Sequence, residues 1–187
     1  MRLSAWCAAA AVATLASGAF AIQGSSPSSK DNEELARMFK EDQDDRKPGV
    51  QGIDWAKVKP RDDARLARVY ELYKAGALCT GPDWYRAAML LQHGNEPEDF
   101  LLAHEMSVAA VAKGEAAAPW LAAASEDRYL RKIGREQRFG TQWEPGTEPG
   151  TFRLAPVDSR MTDELRQALG APSLAEAKAM ETRFDKK

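Results

Sequence analysis

Four glycines divide the middle of the chain into consecutive segments with helical periodicity. Apolar residues recur at helical spacing before each of them, and the segments end at Gly76, Gly94, Gly114 and Gly134. Glycine readily adopts the backbone conformation that ends a helix. Connections as short as these force neighbouring helices to pack antiparallel. The chain is therefore predicted to be mainly α-helical, with antiparallel hairpins or a bundle.

The boundaries of the predicted elements follow from local start and stop signals. We expect helices at 31–46, 62–75, 83–93, 96–113 and 116–133, and two short ones at 162–169 and 173–184. Thr80-Gly81-Pro82 is a typical helix start, and Asn95 with Glu98 has the form of a capping box. Residues 137–155 lack a helical period and contain repeated Pro-Gly turns. They are predicted to form an irregular arm or a small β-hairpin.

The first 21 residues have the features of a secretory signal peptide. Arg2 precedes an apolar run, and Ala19-Phe20-Ala21 has the small-x-small pattern of a cleavage site. Neither this run nor any later stretch is long enough to span a membrane, so no span is expected in the mature chain. We expect three successive segments, namely a signal peptide cleaved near Ala21 (1–21), a flexible linker (22–30) and a single helical domain (31–187). The destination is the periplasm or the medium.

Composition removes two classes of structure and function. The formal net charge is -2 at pH 7, which gives no electrostatic reason to expect nucleic-acid binding. Cys79 is the only cysteine of the expected mature chain, so an internal disulfide is excluded and an ordinary core must hold the fold. Cys79 is interpreted as a small buried side chain. Four aromatic residues are expected in the core: Tyr70, Trp84, Trp120 and Tyr129.

Both histidines lie within residues 92–105. A zinc-peptidase helix needs two histidines one turn apart with a glutamate between them, but Val108 stands where the partner of His104 would be. His93 is expected in the last turn of its helix, where its ring can serve exposed carbonyls. Alternatively, His93 and His104 meet in space and acidic neighbours complete a metal shell. The sequence predicts neither a cofactor nor a resident metal.

His104 and Glu105 interrupt the most apolar segment of the chain. From Phe100 to Ala112 every other residue except one serine is apolar, so this helix is expected to be buried over most of its circumference. A buried carboxylate is costly unless it is paired, and Arg128 on the next helix is the expected partner. The pair is either a structural clasp between helices or, with Asp127, a polar cluster that lines a cleft.

Five motifs resemble an uncharacterised family of bacterial, often exported, proteins. They are DQDDR (Asp42–Arg46), QHG (Gln92–Gly94), LAHE (Leu102–Glu105), WLAAASEDRYL (Trp120–Leu130) and GREQRFGTQ (Gly134–Gln142). The similarity covers most of residues 31–185. Because the family is known as a domain of unknown function, the resemblance implies a helical fold and export but no reaction.

Polar residues of the irregular arm are candidates for ligand contacts. Gln137, Thr141 and Gln142 match the last motif, and together with His93 they form the candidate ligand-binding set. A loop over a helical cleft can direct amide and hydroxyl groups at a ligand. The same groups can instead cap helix ends and satisfy buried backbone, and the sequence leaves both interpretations open.

Two functions remain in consideration. The first is a non-catalytic module that binds an unknown protein or small-molecule partner. The second is a hydrolase or lyase, with or without a metal, in which His104 acts as the base. Glu105 or Asp127 would orient that base, and Arg128 or the Gln142 amide would stabilise a developing anion. The enzyme hypothesis requires His93, His104, Asp127 and Gln142 to open to one common cavity, and the binding hypothesis does not.

Overall fold

The computed structural model describes residues 30–48, 52–148 and 151–181. Its helices are α1 Glu33–Asp45, α2 Trp55–Lys74, α3 Gly81–Leu91, α4 Pro97–Ala112, α5 Ala118–Lys132, α6 Asp163–Ala168 and α7 Leu174–Ala179. Strands β1 Trp143–Pro145 and β2 Phe152–Leu154 form a two-stranded antiparallel sheet. The predicted fold class, mainly helical with a small hairpin, is confirmed. The predicted signal peptide lies outside the described residues, as does the predicted linker apart from Lys30.

The main core lies where α3 packs against the helices on both sides of it. α3 contacts α1, α2, α4 and α5. It contributes Ala87, Ala88 and Leu91, all fully buried, and the small alanines let the backbones of neighbouring helices approach closely. A second, smaller cluster joins α5 to the segments that follow it and contains Ala123, Phe139, Met161 and Ala171. Within the described ranges, no helix is long and apolar enough to cross a membrane.

Buried aspartates fix the starts of two helices. The Asp83 carboxylate accepts hydrogen bonds from the backbone N–H groups of Thr80 at 3.1 Å and of Asn32 at 2.7 Å, which ties the start of α3 to that of α1. The Asp99 carboxylate accepts from the backbone N–H groups of Asn95 and Glu96, each at 3.0 Å. The N-cap of α4 is therefore Glu96, so the predicted Asn95–Glu98 capping box was wrong by one residue.

α2 begins seven residues before its predicted start, at Trp55 instead of Asp62. Pro60, which the sequence placed in a linker, lies inside the helix and is exposed. Val58 is buried and extends the apolar face of α2 by one turn. The burial of Val58 stabilises the helix and partly offsets the free-energy cost of the backbone hydrogen bond that proline cannot donate.

Several predicted burials were wrong. α4 packs against α3 and α5 but leaves an outward face, on which Val108 is 50% exposed and Glu105 is also exposed. Trp120, at the start of α5, is 41% exposed, and Cys79 is exposed in the connection before α3. The remaining predicted core aromatics, Tyr70, Trp84 and Tyr129, are partly buried. An apolar sequence does not by itself provide a neighbour for every face of a helix.

Candidate functional site

A buried ionic cluster joins α1 to α2. Its members are Asp42, Asp45, Arg46, Asp62 and Arg65. The Arg46 guanidinium donates to Asp42 at 2.5 Å and to Asp62 at 2.7 Å, and Arg65 donates to Asp62 at 3.2 Å and to Asp45. Asp42 is fully buried. Its charge is tolerated there because Arg46 pairs with it. The cluster fixes Arg46 at the end of α1.

His93 faces this cluster. It lies beyond the last residue of α3, so the prediction that it occupies the last helical turn was wrong. The carbonyls of Leu90 and Leu91 already accept from the backbone N–H groups of His93 and Gly94, which leaves those two carbonyls without need of the ring. The ring Nε2 lies 3.6 Å from an Asp42 carboxylate oxygen, too far for a hydrogen bond, and it is buried without a partner.

Arg128 on α5 is a cation without a counter-ion. In the described part of the chain it forms no ion pair or hydrogen bond, and its Nε is buried. Burial, and secondarily the charge of nearby Arg46, lower the pKa of Arg128. The predicted pairing with Glu105 was wrong. Arg128 borders Phe100 at the start of α4, whereas Glu105 lies five residues further, about 140° around the helix from Phe100.

Two open clefts meet at Phe100 and Arg128. The first has a volume of about 230 Å³ and is also bordered by Arg46, Trp55, Gln92 and His93. The second has a volume of about 300 Å³ and is also bordered by Arg131, Lys132, Gln142 and Trp143. We call the two together the Arg128 groove. Its combined size falls within the range of about 300–1,000 Å³ that is usual for ligand pockets.

Unsatisfied polar atoms distinguish the first cleft. Three of its bordering side chains carry a buried atom without a hydrogen-bond partner, namely Gln92 Oε1, His93 Nε2 and Arg128 Nε. Gln92 as a whole is only 5% exposed. Leaving such a group unpaired costs about 1–3 kcal/mol, so native proteins seldom keep three side by side without a partner or water.

Two larger depressions lack this property. One, of about 470 Å³, lies between α1 and α2, where Asp44, Asp45, Arg61 and Arg65 are all paired with opposite charges. The other, of about 490 Å³, is formed mainly by small and apolar residues around Trp120 and Pro172. Among the described residues, no unpaired buried polar atom borders either one. Their size alone gives no reason to expect a polar ligand.

Asp127 is a structural residue. Its fully buried carboxylate accepts from the backbone N–H groups of Arg138 at 2.6 Å, Phe139 at 2.9 Å and Thr141 at 3.0 Å, and from the Thr141 hydroxyl at 2.8 Å. These bonds attach the irregular arm to α5. Asp127 and Arg128 are adjacent on the helix and therefore point about 100° apart, one to the arm and the other to the groove.

The three candidates on the arm have different roles. Gln137 is fully buried, donates to the carbonyls of Gln142 and Ala155 at 2.8 Å each, and accepts from the Gln142 N–H at 2.9 Å. Gln137 and Thr141 thus hold the arm in shape. Gln142 borders the second cleft, and its side-chain amide nitrogen donates to the Thr141 hydroxyl at 3.0 Å. Of the four predicted ligand contacts, His93 and Gln142 border the groove.

The predicted catalytic group is not assembled. His104 Nδ1 lies 2.9 Å from the Ala122 carbonyl oxygen, which joins α4 to α5, and Glu105 is exposed on the outer face. No hydrogen bond or ion pair in the described part of the chain joins any two of His104, Glu105, Asp127 and Arg128. Nor do the described ranges contain three potential ligands grouped around a metal position.

Most residues of the groove were not predicted from the sequence. Arg46 and Gln92 lie in the DQDDR and QHG motifs, and this was the signal that could have identified them. Trp55, Phe100 and Lys132 carry no local signal, because only the packing of α2, α4 and α5 brings them together.

The resemblance to an uncharacterised family stays a prediction. Comparison of the chain with protein-family models, with curated proteins and with solved structures found no match.

Proposed function

We propose that the protein is a non-catalytic module that binds an anionic ligand in the Arg128 groove. The observation that carries the proposal is the set of unpaired polar atoms around the first cleft, above all the half-buried guanidinium of Arg128, whose Nε is buried without a partner. An arginine fork pairs well with a carboxylate or a phosphate because its N–H groups match two oxygens at once. A bound anion would offset the cost of burying this charge.

The charge of the groove supports an anion. Five cations border its two clefts, against the single carboxylate of Asp62, which already pairs with Arg46 and Arg65. Lys59 pairs with Asp63 and Arg131 with Glu144, so Arg128 and Lys132 are the bordering cations without an ion pair in the described ranges. The whole chain has a net charge of -2, so the positive potential is local to the groove.

The alternative, a hydrolase or lyase, has less support. The proposed base needs a third group within hydrogen-bonding reach to orient it. His104 contacts a backbone carbonyl instead, and the carboxylate of Asp127 is occupied by the arm.

Export to the periplasm or the medium remains part of the proposal. Mass spectrometry of the mature N-terminus, expected near Ile22, tests it.

Nuclear magnetic resonance titration tests the binding proposal. Addition of inorganic phosphate or galacturonate to ¹⁵N-labelled protein is expected to shift the backbone amides of His93, Gly94 and Gln142 in a saturable way. Arg128→Gln should abolish these shifts because the unpaired guanidinium is gone. Arg135→Gln, which removes an exposed charge outside the groove, is the matched control and should leave them unchanged. If neither anion shifts these amides, or if both variants respond alike, the proposal fails.

A further inference from the structure

We infer that the ligand of the Arg128 groove is an acidic oligosaccharide, a short chain of sugar rings that carry carboxylates. This inference rests on the proposed function, since it names the class of anion that the groove takes. Three independent properties of the bordering residues support it: aromatic rings along the groove, neutral amides beside the unpaired arginine, and free positive charge in both clefts.

The aromatic rings are distributed along the length of the groove. Trp55 borders the first cleft, Phe100 lies where the clefts meet, and Trp143 borders the second. Trp55 is 59% exposed, which is costly for so large an apolar side chain and typical of a binding surface. The electron-rich face of an aromatic ring attracts the weakly positive C–H groups on one face of a sugar. A row of such rings fits consecutive sugar units.

The neutral polar side chains match hydroxyl groups. Gln92, His93 and Asn95 border the first cleft, and Gln142 borders the second. An amide or a neutral imidazole both donates and accepts hydrogen bonds, as a hydroxyl does. Gln92 Oε1 and His93 Nε2 are free to do so, because neither has a partner among the described residues. Inorganic phosphate would use the arginine but would leave the aromatic rings without a contact.

The free charges favour more than one carboxylate. Arg128 serves the point where the clefts meet, and Lys132 lies in the second cleft. Arg128 and Lys132 lie one turn apart on α5, so each of them can pair with one carboxylate of two neighbouring sugar rings. An ammonium group is disfavoured because Asp62, the one bordering carboxylate, is already shared by Arg46 and Arg65. A free amino acid, which carries such a group, is therefore a poor fit.

Isothermal titration calorimetry with four probes tests the inference. The probes are trigalacturonate, its fully methyl-esterified form, triglutamate and inorganic phosphate. We expect trigalacturonate to bind about tenfold more tightly than triglutamate or phosphate, and esterification to lose at least about tenfold in affinity. Trp55→Ala should weaken trigalacturonate by about tenfold, the effect typical of an aromatic contact residue, and should leave phosphate binding unchanged.

Trp120→Ala provides the matched control. Trp120 is another exposed tryptophan, 41% accessible, that lies outside the groove, so its removal should not change the affinity for trigalacturonate. Should triglutamate or phosphate bind as tightly as trigalacturonate, in a manner that depends on Arg128, the saccharide inference is overturned while anion binding stands. If none of the probes binds, both proposals fail together.

Discussion

The carboxylate of Asp127 accepts two hydrogen bonds from Thr141, one from its backbone N–H at 3.0 Å and one from its hydroxyl at 2.8 Å. Together with the bonds from Arg138 and Phe139, they make one side chain of α5 responsible for the path of the arm. The arm in turn places Gln142 and Trp143 at the second cleft. Asp127 therefore acts on the groove indirectly, through the shape of the arm.

Asp127→Asn should destabilise the fold by about 3 kcal/mol, because the new amide nitrogen would face N–H donors and at least one of them would lose its acceptor. The free energy of unfolding from urea denaturation measures the effect. Thr141→Val is the graded control. It removes the hydroxyl that donates to Asp127 and accepts from the Gln142 amide, but keeps the backbone N–H bonds, and should cost about 1 kcal/mol. Equal stability of Asp127→Asn and the wild type would contradict this account of the arm.

Gly94 is required by the close approach of Asp99. A Cβ at position 94 would lie 2.4 Å from an Asp99 carboxylate oxygen that caps the start of α4. Gly94→Ala should therefore displace the cap and lower the unfolding free energy by about 2 kcal/mol, a shift of about 4–8 °C in Tm for a domain of this size. Gly114→Ala is the comparison, since that site has open space and only a strained φ of 82°. It should cost only about 1 kcal/mol.

Local signals explain which parts of the fold were predictable. Thr80 lies three residues before the capping carboxylate of Asp83, and Gly94 lies three residues after the end of α3, so these boundaries could be predicted within two residues. The start of α4 was misplaced because Pro97, which favours the first helical position, fixes the N-cap at Glu96. The competing Asn95–Glu98 pattern has the form of a capping box one residue before the Glu96–Asp99 capping box of the structure.

The site was less predictable because its parts come from distant segments. His93 and Gln142 were identified by residue type, yet their shared neighbour Arg128 was assigned to Glu105 instead of to a groove. The sequence shows that α4 is apolar over most of its circumference, but it cannot show that Val108 has no helix beside it. Nor can it show that Arg46 is held near Arg128 by pairing with Asp42 and Asp62.

Acid stability should depend more on the inner carboxylate of α1 than on an outer one. Burial raises the pKa of Asp45, but hydrogen bonds from Arg65 and Arg61 outweigh it and the net pKa is lowered. Since the folded pKa lies below the unfolded value, this stabilisation is complete above about pH 4 and is lost as the pH falls through the folded pKa. Asp45→Asn should flatten that loss in urea midpoints measured from pH 6 to pH 2.

Asp44→Asn is the exposed counterpart on the same helix. Hydrogen bonds from Lys40 and Lys47 lower the pKa of Asp44 to about 2, but water and salt screen these pairs. The contribution of Asp44 to the free energy of unfolding should be small and should disappear in 1 M salt. The contribution of Asp45 should persist because its ion pair with Arg65 is partly buried. Identical salt dependence of the two variants would argue against a buried ionic cluster.

Removal of the Arg128 charge should have opposite effects on stability and on binding. Arg128→Met keeps an unbranched side chain of similar length and eliminates a half-buried cation without an ion pair, so the unfolding free energy should rise by about 1 kcal/mol. Anion binding in the groove should be lost in the same variant.

Arg166→Met is the matched control, since Arg166 is only 2% exposed but donates to Asp163 and to the carbonyls of Met161 and Arg138. Removing that paired cation should destabilise the fold by about 3 kcal/mol. If Arg128→Met instead lowers the free energy of unfolding in urea as much as Arg166→Met does, Arg128 stabilises the fold and is not a free ligand-binding group.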